Sequence, residues 1–151
     1  TPAQIGEGIT VWTATPEVSP KQKEWAGAIL GSIGQEIFVV DEKYLDMATA
    51  VSGSGPAYFF LFVETLADAA VSIGLPREIA EKLVLQTMLG SGQLLKKSGK
   101  PPVELRRMVT SPGCTTVEAI TAFEKGGFAD LVKRAVSAAH EKAKKLGSDQ
   151  K

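Results

Sequence analysis

Residues 52–63 read Ser52-Gly53-Ser54-Gly55-Pro56-Ala57-Tyr58-Phe59-Phe60-Leu61-Phe62-Val63, and how this stretch is covered decides the fold. Pro56 suits the first turn of a helix, where its missing N–H is no loss. From 57 to 63 every residue is apolar or aromatic, so a helix here has no polar face and must be enclosed on all sides. Two arrangements achieve that: the other helices of the chain wrap around it, or a second subunit covers part of it. The burial argument favours an interlocked dimer. Gly90 and Gly92 in the next helix point to close helix packing, because a mid-helix glycine costs about 1 kcal/mol and needs a reason. Glu64 and Asp68, four residues apart, mark one solvated or paired edge.

Downstream the pattern stays helical. Asp41 can cap a helix reaching about Val51, and Ser52-Gly53-Ser54-Gly55 reads as a loop before Pro56. Gly74 ends the aromatic helix, and Pro76 opens another that stops at Ser98, before Gly99 and Pro101-Pro102. A short helix over 102–109 meets the break Thr110-Ser111-Pro112-Gly113. Thr115 begins a helix that ends at Gly126-Gly127, and the last runs from Phe128 to about Leu146. Each stop has a glycine or proline mechanism. Residues 148–151 read as a disordered polar tail.

Upstream, residues 9–14 are β-branched and aromatic, which favours a strand. Ser19 and Pro20 form a helix start. Trp25, Ile29 and Ile33 give that helix one apolar face, and Gly34 can end it in the left-handed conformation. Residues 37–40 form a continuous apolar run, the pattern of a strand buried on both faces. One βαβ unit cannot bury itself, so residues 1–40 read as the last unit of a larger α/β domain. The expected fold is mainly α: a short βαβ remnant, then an all-helical region over 41–147.

Composition excludes several classes. The 17 Lys+Arg balance 17 Asp+Glu, and 44% of residues are hydrophobic, an ordinary globular make-up. Residues 1–50 carry 3 basic and 7 acidic side chains, 51–100 carry 5 and 4, and 101–151 carry 9 and 6. The basic excess at the end is dispersed, so no nucleic-acid footprint forms. The longest apolar run is far below the roughly 20 residues of a membrane helix. No signal peptide is visible, and a cytoplasmic, reducing setting is expected. One Cys and one His leave neither a disulfide nor a metal cluster.

The candidate site is Ser111-Pro112-Gly113-Cys114-Thr115-Thr116, a tight turn feeding a helix. A helix N-terminus offers unpaired N–H groups to an anion, and the Ser111, Thr115 and Thr116 hydroxyls add hydrogen-bonding groups. An ordinary capped helix start is the competing reading. Ser52-Gly53-Ser54-Gly55 lacks the strand-then-GxGxxG context of a dinucleotide fingerprint. Cys114 at a helix start has the setting of an acidified thiol, but His140, among Glu141, Lys142 and Lys144, reads as part of a solvated face rather than its base. The acids are scattered, so no carboxylate pair stands out.

Four blocks in order carry a resemblance: residues 50–58 (Ala-Val-Ser-Gly-Ser-Gly-Pro-Ala-Tyr), Gly74-Leu75-Pro76, residues 109–116 around Ser111-Pro112-Gly113, and Glu124-Lys125-Gly126-Gly127-Phe128. Together they resemble the Δ1-pyrroline-5-carboxylate reductase family over essentially the whole chain. The resemblance implies reduction of a cyclic imine to L-proline, the last step of proline biosynthesis, with NADPH or NADH. It implies a Rossmann domain followed by a helical dimerisation domain, with the glycine-rich cofactor fingerprint upstream of Thr1. It also implies a homodimer, which several family members extend to decamers. Ser111, Gly113, Cys114, Thr115 and Thr116 match the family's substrate-carboxylate loop, and the hydroxyl matching Thr116 faces the imine nitrogen. Glu42 matches a position at the cofactor–substrate cleft, and the 52–55 loop lies near it. Cys114 departs from the family, which usually has a second glycine there.

Two other functions compete. One is a non-catalytic dimerisation module. The other is a related reductase of a different small imino or keto acid; such enzymes use a helical-domain lysine, and Lys82, Lys96 and Lys97 have no supporting motif.

Overall fold

The fold is that of a computed structural model, which describes residues 1–148. The chain forms two compact units, Thr1–Tyr58 together with the chain from Lys133 on, and Phe59–Val132.

The first unit opens with a 3-10 turn, Pro2–Ile5, that the sequence did not announce. Strand β1 (Gly8–Trp12), helix α1 (Pro20–Gly31) and strand β2 (Gly34–Phe38) follow. Ser19 caps α1 through a reciprocal box: its Oγ accepts from the Gln22 N–H at 3.3 Å, and Gln22 Oε1 accepts from the Ser19 N–H at 2.8 Å. Pro20 takes the first helical position, so the expected start holds. The strands pair in parallel from Gly8↔Gly34 to Trp12↔Phe38, the βαβ arrangement expected. Their bounds differ from the sequence reading. Gly34 does not end α1; with φ 148 it opens β2, and Ser32 closes α1 in the right-handed conformation. On the side of the sheet under α1, Trp12 and Phe38 meet edge-on at 4.8 Å, and the Trp12 indole N–H donates to Glu36 at 2.5 Å. Burial of the second strand on both faces is not met: Ile37 is 46% exposed and Val40 stands open. Two strands and one helix cover one face only.

Helix α2 (Lys43–Ala48) is started by Asp41, whose Oδ1 accepts the Lys43 N–H at 2.9 Å. The expected loop over 52–55 is absent. Thr49–Gly53 forms a π-helical turn, and helix α3 (Gly55–Ser72) begins two residues later. The glycines here widen a helix instead of breaking it.

The remaining helices fall close to the expected bounds: α4 (Arg77–Ser98), α5 (Pro102–Met108), α6 (Thr115–Lys125) and α7 (Phe128–Ser148). Gly99 closes α4 in the left-handed conformation with φ 64. Helix α7 carries on through Ser148; the rest of the expected tail lies outside the described residues.

The chain does not enclose its aromatic helix. Phe59, Phe60 and Leu61 are 59%, 60% and 62% exposed, so the arrangement in which the chain's own helices wrap α3 is not what forms. Nothing stands within 4 Å of where a Cβ would lie on Gly90 or Gly92; the close neighbour these glycines suggest is not among the described residues. The buried apolar side chains among the described residues are Ala50, Ala67, Ala80, Val84 and Ala143.

Candidate functional site

The Ser111–Thr116 corner lies wholly in the second unit. Helix α5 ends with the Thr110 N–H on the Arg107 carbonyl at 3.1 Å and the Thr110 hydroxyl donating to the Arg106 carbonyl at 2.6 Å. The chain then reverses: the Cys114 N–H closes onto the Ser111 carbonyl at 3.1 Å. Pro112 and Gly113 are the central residues, and Gly113 has φ 79. Proline followed by a left-handed residue is the type II pattern, which wants glycine at the second place. The turn delivers Cys114 to the N-cap of α6, so the first-turn N–H groups of that helix open toward the turn.

Ser111, Gly113 and Thr115 are exposed, and Cys114 and Thr116 half-buried. All five substrate-loop candidates are thus brought together, five of six consecutive residues on one corner. Cys114 has φ −85 and ψ 157, an extended conformation open to any L-residue. A side chain at this position therefore strains nothing in the backbone. The side chain does occupy space over the helix start. Its sulfur completes no capping hydrogen bond, yet the Val117 N–H close to it holds the thiol below the ordinary cysteine range, against a smaller opposing effect of burial. The Thr116 and Ser111 hydroxyls and the Thr116 N–H act in the same direction. The sulfur thus lies beside the first-turn N–H groups of α6. Glu118, in the first turn of α6, sets a negative charge against the same end.

In the same unit, sequence reasoning missed a groove of about 460 Å³ lined by Phe62, Arg106, Ile120, Phe123, Glu124 and Phe128, among others. Phe123 stacks obliquely on Phe128 at 5.5 Å and Phe62 on Phe123 at 6.4 Å. Arg106 and Glu124 face each other at 3.7 Å. The signal was the pair of aromatics flanking Gly126-Gly127.

Glu42 lies in the first unit, exposed, at the start of α2 and with no capping hydrogen bond of its own. Asp41 beside it pairs with Lys43 at 2.6 Å, and the Lys43 ammonium holds the Asp41 carboxyl below its usual range. His140 is half-buried on α7. Among the described residues no three His, Cys, Asp or Glu side chains gather as metal ligands. No helix among them is long and apolar enough to cross a membrane.

The β1–α1 connection does not build a pyrophosphate cradle. The connection between β1 and α1 is Thr13-Ala14-Thr15-Pro16-Glu17-Val18-Ser19, without a glycine to let a phosphate approach the backbone. It carries Glu17, whose carboxyl is held below its usual range by the Thr15 hydroxyl and therefore stays charged. A nicotinamide dinucleotide would need its phosphates held by other residues.

Residues 42–146 match the family model described as pyrroline-5-carboxylate reductase dimerisation. The chain is 45% identical to the pyrroline-5-carboxylate reductase of Pseudomonas aeruginosa over 97% of its own length and 54% of that protein's. It is 44% identical to that of Synechocystis, over 97% and 55%. Among solved structures, the reductase of Coxiella burnetii superimposes with a TM-score of 0.92 at 40% identity, covering 97% of this chain and 54% of that one. The Plasmodium falciparum pyrroline carboxylate reductase with NADP bound gives 0.90 at 41%, covering 97% and 59%. The chain thus spans about half the length of the curated relatives it matches. A helical region matched over 42–146, and a fold shared with those structures at 40–41% identity, mean that the chain belongs to the pyrroline-5-carboxylate reductase dimerisation family.

Proposed function

We propose that this chain is the substrate-binding and dimer-forming part of a cytoplasmic reductase that converts 1-pyrroline-5-carboxylate to L-proline. In this reading residues 1–40 close a Rossmann domain and 41–147 form the helical domain. The observation that carries it is the Pro112-Gly113 turn delivering Ser111, Thr115 and Thr116 to the start of α6, in a chain of this family.

NADPH or NADH, held mainly by residues other than these, supplies the hydride. The chain's own part is positional. The substrate carboxylate is received by the Ser111 hydroxyl and the N–H groups of Gly113 and Thr115, where the helix dipole favours negative charge; the Cys114 N–H is taken by the turn itself. The Thr116 hydroxyl accepts a hydrogen bond from the protonated imine nitrogen and so fixes which carbon faces the donor. Hydride adds to the C=N carbon, the π electrons pass to nitrogen, and the iminium becomes the ring amine. No side-chain base is required, which agrees with a corner built of hydroxyls and backbone N–H groups.

The partner is a second copy. The open faces of Phe59, Phe60 and Leu61 lie on the helix that needs cover. A further assembly of dimers belongs to the same reading.

The test is the polypeptide that carries this sequence together with a strand–glycine-rich turn–helix unit. It should oxidise NADPH or NADH when given pyrroline-5-carboxylate, and Thr116→Ala should lower kcat/KM. Residues 1–151 alone should bind NADPH only weakly in a fluorescence titration. Tight binding by them, or an unchanged kcat/KM in Thr116→Ala, would remove the assignment of these roles.

A further inference from the structure

Helix α5 is only seven residues long (Pro102–Met108), and the way it stops decides where Ser111 emerges. Val109 leaves the helix with φ −105 and ψ 10, close to the sparsely populated bridge region. One carbonyl then holds the departing chain. The Arg106 carbonyl accepts from the Val109 N–H at 3.2 Å and from the Thr110 hydroxyl at 2.6 Å. The Thr110 N–H goes to the Arg107 carbonyl at 3.1 Å. Thr110 is thus fixed through main chain and side chain together. It is half-buried, whereas Ser111, Pro112 and Gly113 after it are exposed. The guanidinium of the same Arg106 faces Glu124 at 3.7 Å, so the residue that holds Thr110 also reaches α6, the helix that the turn feeds. That ion pair is exposed and adds little; the hydroxyl bond is the closer tie. A threonine bonding the carbonyl four residues back bends or ends a helix, and here the residue it aims is Ser111. All of these groups lie in the second unit.

We propose that Thr110 is a positioning residue of the substrate corner: its hydroxyl, bonded to the Arg106 carbonyl, fixes the direction in which Ser111 leaves α5 and so places the Ser111 hydroxyl that receives the carboxylate. The proposal rests on the reductase reading for what Ser111 holds. The tie itself rests on the geometry alone. Valine has the shape of threonine without the hydroxyl, and the Arg106 carbonyl keeps the Val109 N–H, so Thr110→Val orphans no acceptor and leaves the helix end in place. What it removes is the side-chain tie, which Thr110→Ser keeps. A carboxylate is held alike before and during hydride transfer, so a misplaced Ser111 raises KM and spares kcat.

The experiment is Thr110→Val in the active, full-length enzyme, with Thr110→Ser beside it. Amide hydrogen exchange at Cys114, whose N–H closes the turn onto Ser111 and whose own sequence neighbours are unchanged, should become about threefold to tenfold faster in Thr110→Val, the range that one net hydrogen bond controls. KM for pyrroline-5-carboxylate should rise by about threefold to tenfold in the same variant, with kcat changed less than about twofold. Thr110→Ser should keep both the slow exchange and the wild-type KM. Unchanged exchange in Thr110→Val overturns the tie. Faster exchange with an unchanged KM, a kcat loss without a KM rise, or a KM rise that Thr110→Ser shares overturns the positioning role. A wild-type enzyme that fails to reduce the imine overturns the reductase reading instead, and exchange at Cys114 still decides the tie.

Discussion

Gly34 faces Gly8 across the first rung of the parallel ladder, so closely that a Cβ on Gly34 would stand 2.1 Å from the Gly8 carbonyl oxygen. Its φ of 148 is also one that side chains rarely adopt. Gly34→Ala should therefore cost about 2–4 kcal/mol, combining strain with a clash that only separation of the strands can relieve. Gly31→Ala, three residues earlier at the end of α1 with open space around it, should be neutral or stabilising by up to about 1 kcal/mol. Denaturant midpoints of the two variants check the contrast, and equal midpoints would contradict it.

The α1 start gives a second prediction. Ser19→Ala removes the oxygen that accepts the Gln22 N–H and should cost about 1 kcal/mol. Ser19→Gly should cost only a few tenths of a kcal/mol. Equal losses in thermal unfolding would place the effect outside the cap.

The thiol of Cys114 titrates with a defined sign. Its folded pKa lies below the ordinary value because the Val117 N–H, then the Thr116 and Ser111 groups, favour the thiolate. A depressed acid contributes stability once pH exceeds the unfolded pKa, and that contribution fades as pH falls through the folded pKa. Iodoacetamide labelling of the native protein should accordingly rise with pH at lower values than labelling of the denatured protein. Coincident profiles would mean that the helix start does not act on the sulfur.

The open aromatic helix gives a fourth. Phe60→Glu puts a charge in the middle of an apolar face that is 60% exposed in the single chain. Sedimentation should show the full-length variant shifted from dimer toward monomer, or unable to accumulate folded. A variant dimer as tight as wild type would place the interface elsewhere.

Much of this was legible before any coordinates. The helix breaks at Gly74, Gly99, Pro101-Pro102 and Gly126-Gly127 are local, and they fell where glycine and proline chemistry puts them. The Ser19-Pro20 start is equally local and matched its capping box. The failures share one cause. A π-turn and a glycine loop share a composition, and what separates them is one hydrogen bond from Tyr58 to a carbonyl eight residues back. The misplaced strand end came from the same blindness: Gly34 can close a helix or open a strand, and the close approach of Gly8 decides. At the candidate site, the residues of the turn were legible because Pro112-Gly113 dictates it. The acidified thiol was foreseen only as a setting, and the Phe62–Phe123–Phe128 groove not at all, since it depends on how three helices meet.

That the buried apolar side chains among the described residues are four alanines and a valine has a kinetic meaning. Side chains this small hold helices together only feebly, and in the dimer we propose the open aromatic helix finds its cover on a second copy. Acquiring structure and finding a mate then become one event, second order in chain concentration. Refolding should quicken on concentrating the sample, and the melting temperature should climb with it. Dilution alone should then weaken the fold.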